Sequence, residues 1–138
     1  MAGFTFRYRL SGGAPTIQVL KAKDTETLSK GDILNLETGE VDLGATADTN
    51  LLGVCLDTAA RTDSTTDVYV ITDADAVYAV DDANARVKGA TLDLAGATGA
   101  QAVATSSNKE FVVVAPSTAT EETLVRVNVG KHADNKAQ

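Results

Sequence analysis

The sequence is short of the residues on which most chemistry and cross-linking depend. It holds one cysteine (Cys55), one histidine (His132), two prolines, three Phe, three Tyr and no Trp in 138 residues. A single cysteine excludes an intrachain disulfide, so cysteine usage gives no argument for an oxidising compartment. A Ser-His-Asp or Cys-His arrangement needs an imidazole held rigidly beside a nucleophile, and zinc sites usually need several His or Cys ligands. His132 lies in the polar end "KHADNKAQ", which reads as a flexible tail over 131–138, so neither chemistry is expected of it. Cys55 sits between apolar neighbours in "GVCLD" and reads as a small buried side chain. No apolar run approaches membrane-spanning length, and Arg7 and Arg9 interrupt any signal-peptide core in "MAGFTFRYRL". The expected place of synthesis is therefore a cytosol, with no membrane partner. Gly12-Gly13 and Gly96 with Gly99 lack the Gly-Lys-Ser/Thr of a phosphate loop.

What is present is small apolar side chains and acid. Hydrophobic residues make up 43% of the chain and the formal net charge is −7. That is enough apolar material for the core of one domain, and an acidic body disfavours a broad nucleic-acid interface. The charge is uneven. All four ionic residues before Asp24 are basic (Arg7, Arg9, Lys21, Lys23), whereas all nineteen acidic residues fall from Asp24 onward. A basic head on an acidic body points to an acidic partner for the head; the alternative is that two arginines on an exposed strand simply aid solubility.

The dominant hydrophobic period is two. "FTFRYRL" places Phe4, Phe6, Tyr8 and Leu10 opposite Thr5, Arg7 and Arg9; "TIQVLKA", "DVYVITD" and "TLVRVNVG" alternate likewise. "LSKGDILNLETGEVDLG" reads as a hairpin turning at Glu37-Thr38-Gly39. "LLGVCLD" and "AVYAV" are short apolar strands, and "VKGATLDLAGATGAQAVATSS" is two strands around Gly96 and Gly99. "EFVVVAP" is continuously apolar, which predicts burial on both faces. The sum is nine to eleven short strands without a long amphipathic helix, and no repeat of fixed period stands out. The predicted class is all-β, a small barrel or sandwich in one domain.

The densest carboxylate cluster is Asp73, Asp75, Asp81 and Asp82. A calcium loop counted from Asp73 would need Gly at its sixth position and Glu at its twelfth; Tyr78 and Asn84 stand there. These carboxylates read as loop and edge residues that discourage strand aggregation. No metal, cofactor or catalytic residue is assigned, and no enzyme activity is expected.

The order of these features carries a resemblance. A strand-turn-strand entered through Lys-Gly-Asp ("LSKGDILNLETGEVDLG") precedes "LLGVCLDTA", "DVYVITDADAVYAV", "VKGATLDLAGATGA", "EFVVVAP" and "TLVRVNV". Over residues 16–130 this resembles the small β-rich head decoration, or cement, proteins of tailed bacteriophages, including relatives of the phage lambda decoration protein. The resemblance implies a β-barrel or β-tulip domain that binds the outer surface of an expanded capsid as a homotrimer. Its partner would be the major capsid protein, its place the virion, and its task to hold capsomers against internal DNA pressure. On that reading residues 1–15 form an N-terminal arm and hinge, with Phe4, Phe6, Arg7, Tyr8 and Arg9 as capsid-binding residues and Gly12 and Gly13 as the hinge. The alternative for residues 2–10 is an ordinary strand of the domain's own sheet, with Phe4, Phe6 and Tyr8 in its core. The alternative function is a phage surface or fibre module that recognises a glycan or a host factor.

Overall fold

In the computed structural model, residues 3–58, 65–105, 107–119 and 121–133 are described. Alternation of apolar and polar side chains gives eleven strands among them: β1 (Phe4–Arg9), β2 (Ile17–Ala22), β3 (Ile33–Glu37), β4 (Glu40–Leu43), β5 (Leu51–Val54), β6 (Asp67–Ile71), β7 (Ala76–Asp81), β8 (Thr91–Ala95), β9 (Ala102–Thr105), β10 (Phe111–Val113) and β11 (Glu122–Val127). A 3₁₀ turn, Val129–Lys131, follows β11. The protein is all-β, as its periodicity predicts. It is built as two packed sheets rather than as one sheet closed on itself. The larger sheet runs β1-β7-β11-β10-β8-β9 and the smaller β5-β3-β4-β2-β6.

Two apolar clusters hold these sheets. One lies between them and joins Ile33, Leu51, Val54 and Ile71 of the smaller sheet to Phe4, Tyr78, Leu92, Phe111 and Val125 of the larger. The other draws on all five strands of the smaller sheet, through Ala22, Leu34, Val41, Leu52, Val68 and Val70, with Leu28 and Cys55. The smaller sheet therefore curls around its own interior. Its end strands meet at an isolated bridge between Cys55 and Val70, and Leu56 N donates to Tyr69 O at 2.9 Å.

The hairpin of β3 and β4 pairs Leu36 with Val41 and Glu37 with Glu40, and Gly39 turns it at φ +82°. The expected burial on both faces of β10 is not found: Phe111 and Val113 are buried, while Val112 between them is half-buried; β5 is instead the strand buried along its whole length.

The chain also contains a repeat that its sequence hides. Val19, Asp24, Lys30-Gly31, Leu34 and Leu36 recur as Val77, Asp82, Lys88-Gly89, Leu92 and Leu94, each 58 residues later. The pairings recur with them. β2–β6 corresponds to β7–β11, β3–β4 to β8–β9, and β3–β5 to β8–β10, all antiparallel. Each half is thus one version of a five-stranded unit. Unequal loops shift the offset outside residues 19–36, which is why no fixed period is visible along the whole chain.

Buried polar groups stitch the halves together. Asp32 accepts from Ser29 N at 2.8 Å in its own half, and from Thr98 Oγ1 at 2.6 Å and Gly99 N at 2.9 Å in the other. Gln101 reaches back, accepting from Ile33 N at 2.5 Å and donating to Gly44 O at 2.9 Å. Both side chains are fully buried, and such groups are costly unless bonded in this way.

Two boundary expectations change. Residues 1–15 are not an arm separate from the domain: of the two readings of residues 2–10, the structure has the strand. β1 pairs antiparallel with β7 from Phe4–Val80 to Arg9–Ala76, with a bulge between Phe6 and Tyr8. Met1 and Ala2 lie outside the described residues. At the other end, residues 131–133 are not a flexible tail. His132 is fully buried and bridges Leu51 in parallel fashion, while 134–138 lie outside the described residues.

Candidate interaction surfaces

The five residues assigned to capsid binding divide by burial, because the bulge in β1 disturbs the simple alternation. Phe4 is 2% exposed and stacks on Phe111, with ring centroids 5.1 Å apart. Phe6 is half-buried and meets Tyr78 edge-on at 6.4 Å. These two belong to the core. Arg7 and Tyr8 are exposed and Arg9 is half-exposed. The Arg7 guanidinium pairs with Glu122 on β11. β1 ends its sheet, so its outer side faces no strand of the larger sheet. Phe4 N on that side donates to Gly31 O at 2.8 Å, and the stretch beyond it carries Arg7 and Tyr8 to the surface.

The hinge is pinned. Gly12 N donates to Arg9 O at 2.9 Å, closing a turn. On either side of Gly12-Gly13, Ser11 N donates to Asp75 at 3.0 Å and Thr16 N to Asp73 at 2.6 Å. Arg9 Nε lies 3.0 Å from Asp75 and 3.5 Å from Asp73. The Ser11 hydroxyl, with the Ser11 amide and Arg9, holds the Asp75 carboxyl down at about 2, against a smaller opposing effect of burial. Half of the aspartate cluster therefore latches the β1–β2 connection.

The other half lies at the opposite end of β7, beside a groove of about 360 Å³ lined by Asp81, Asp82, Glu121 and Glu122. Glu122 is taken by Arg7. Asp82 accepts from Arg86 Nε at 2.6 Å and from Thr123 Oγ1 at 3.2 Å. Burial opposes ionisation of Asp82, but these donors win and keep its carboxyl below the ordinary value. Among the described residues, no group of three or more His, Cys, Asp or Glu side chains is placed to hold a metal ion.

Two further features escape a reading of the sequence. A cleft of about 510 Å³ opens between the edges of β1 and β5, walled by Phe4, Phe6, Val54 and Leu56, with Lys30 and Cys55 also on its lining. The thiol has the character expected of it: burial raises its pKa to about 11, and Sγ donates to Asp57 O at 2.9 Å, so it is a poor nucleophile. The second feature lies on the hairpin. Asp42 has its pKa raised to about 6 by burial and by the neighbouring Glu37, although Asn35 and Lys23 work the other way. Only the register of β3 and β4 brings Asn35 against Asp42.

No family model matches the chain, and no curated protein is significantly similar to it.

Proposed function

We propose that this protein is a structural cement protein that decorates the outer surface of an expanded tailed-phage head as a homotrimer and braces it against internal DNA pressure. The order of sequence motifs over residues 16–130 supports the reading. The structural observation that supports it best is the edge strand β1. Its core side is fixed by Phe4, while Arg7 and Tyr8 stand on the surface of a strand that ends its sheet. Such an edge offers main-chain groups to an extended segment of the capsid protein, with arginine for its carboxylates. Aromatic and arginine side chains are also the types that dominate binding energy at interfaces.

The test is co-sedimentation with expanded, undecorated heads of the phage that encodes the protein. Removing residues 1–10 would delete a core strand, so surface substitutions are used: Arg7→Glu and Tyr8→Ala. Saturable binding of the wild type, weakened by these substitutions, supports the reading. No binding of the wild type overturns it and favours a glycan or host-factor recognition module.

A further inference from the structure

The internal repeat shows one edge filled in the second half and open in the first. In the second half, β7 is flanked by β11 on one side and by β1 on the other, and β1 covers it from Ala76 to Val80. The counterpart of β7 is β2. It is flanked by β6 along its length, but on its other side β4 pairs only with Lys21 and Ala22. Among the described residues, no strand pairs with Ile17–Leu20 on that side.

Burial records the difference. Val77 is fully buried, with Tyr8 of β1 as its cross-strand partner. Its counterpart Val19 is 49% exposed, next to Ile17 at 50% and Tyr69 at 47%. Val19 and Tyr69 are direct cross-strand partners, so the three form one apolar patch beside the open edge. The hydrogen-bonding direction agrees. Ala22 N donates to Thr66 O, and Thr72 N to Thr16 O, so the even-numbered residues of β2 bond toward β6. The main-chain groups of Ile17 and Val19 therefore point outward, away from β6.

We infer that the Ile17–Leu20 edge of β2 is a strand-accepting site. Its occupant is an extended segment of another protein, with apolar or aromatic side chains at alternate positions, lying on β2 as β1 lies on β7. The chain's own strand FTFRYR supplies the pattern: the half whose edge it fills has a buried valine where the other half has an exposed one. This inference goes beyond the capsid reading and does not rest on it, since any partner with such a segment satisfies it.

The test is an amide NMR titration of the full chain with a synthetic peptide of residues 3–10, GFTFRYRL, as the probe. The expected result is saturable shifts centred on the amides of Ile17 and Val19. Val19→Pro removes an outward N–H that bonds nothing on β6, so the fold persists while peptide affinity falls about fivefold, the order expected for one main-chain hydrogen bond. Val19→Lys, which keeps the N–H and charges the patch, is the second variant if the proline substitution unfolds the sheet. Shifts confined to β7, no saturable shift, or equal affinity in the variants would overturn the inference. Self-association in sedimentation velocity that the same variants abolish would also overturn it, by making a second copy the occupant.

Discussion

Truncating Phe4 to alanine tests whether the N-terminal strand belongs to the fold. Phe4 is 2% exposed and stacked on Phe111. Loss of about 150 Å² of buried apolar surface at about 25 cal/mol/Å² costs about 4 kcal/mol. The cavity left beside Phe111 keeps the total within the ~3–5 kcal/mol range of Phe→Ala in packed cores. The assay is urea unfolding. With a slope of about 2 kcal/mol/M, the midpoint falls by about 2 M at unchanged slope. Arg7→Ala is the control, because its pair with Glu122 is exposed on both sides, with side-chain exposures of 43% and 44%; such pairs contribute at most ~1 kcal/mol. If Phe4→Ala moves the midpoint no more than Arg7→Ala, β1 is not a core strand and the reasoning fails.

Three further outcomes are expected. Gly53→Ala is severely destabilising, by more than about 3 kcal/mol, because its Cβ would sit 2.0 Å from Ile71 O and 2.4 Å from the Tyr78 hydroxyl; a melting temperature within a few degrees of the wild type would refute this. Asp75→Asn loosens the β1–β2 latch by about 1 kcal/mol at neutral pH, a figure reduced for the partial exposure of the group. Because the folded pKa of Asp75 is depressed to about 2, its stabilisation is present above the ordinary carboxylate range and is lost as pH falls from about 4 toward 2. The variant and wild-type stability curves should therefore converge in acid, and parallel curves down to pH 2 would contradict the assignment. Asp42→Asn has the opposite sign. A carboxyl raised to about 6 opposes folding once it is ionised, so the variant gains stability relative to the wild type as pH rises from 4 to 7; unfolding midpoints at pH 4 and 7 that shift equally would contradict it.

The strands were legible because period-two alternation is a local signal. "FTFRYRL", "DVYVITD" and the Gly39 hairpin each announce themselves within a few residues. What depends on distant partners was not legible. Alternation looks the same whether Phe4 inserts into a capsid or stacks on Phe111, more than a hundred residues away. Gly12-Gly13 reads as a hinge until Asp73 and Asp75 are seen to hold both of its flanks. His132 reads as tail because its neighbours are polar, yet the bridge to Leu51 buries it. The repeat was hidden for another reason: the two halves conserve pattern and pairing more than identity, and unequal loops break the offset. β10 reads as buried on both faces because "EFVVVAP" is apolar throughout, although only Phe111 and Val113 of the strand reach the core.

Bracing of an expanded head is the role we propose for this protein. The most direct measurement is the temperature at which DNA-filled heads release their DNA, with and without saturating protein. If the protein braces the head, the release temperature rises on saturation, and the rise is lost with Arg7→Glu and Tyr8→Ala. Binding that leaves the release temperature unchanged would contradict it.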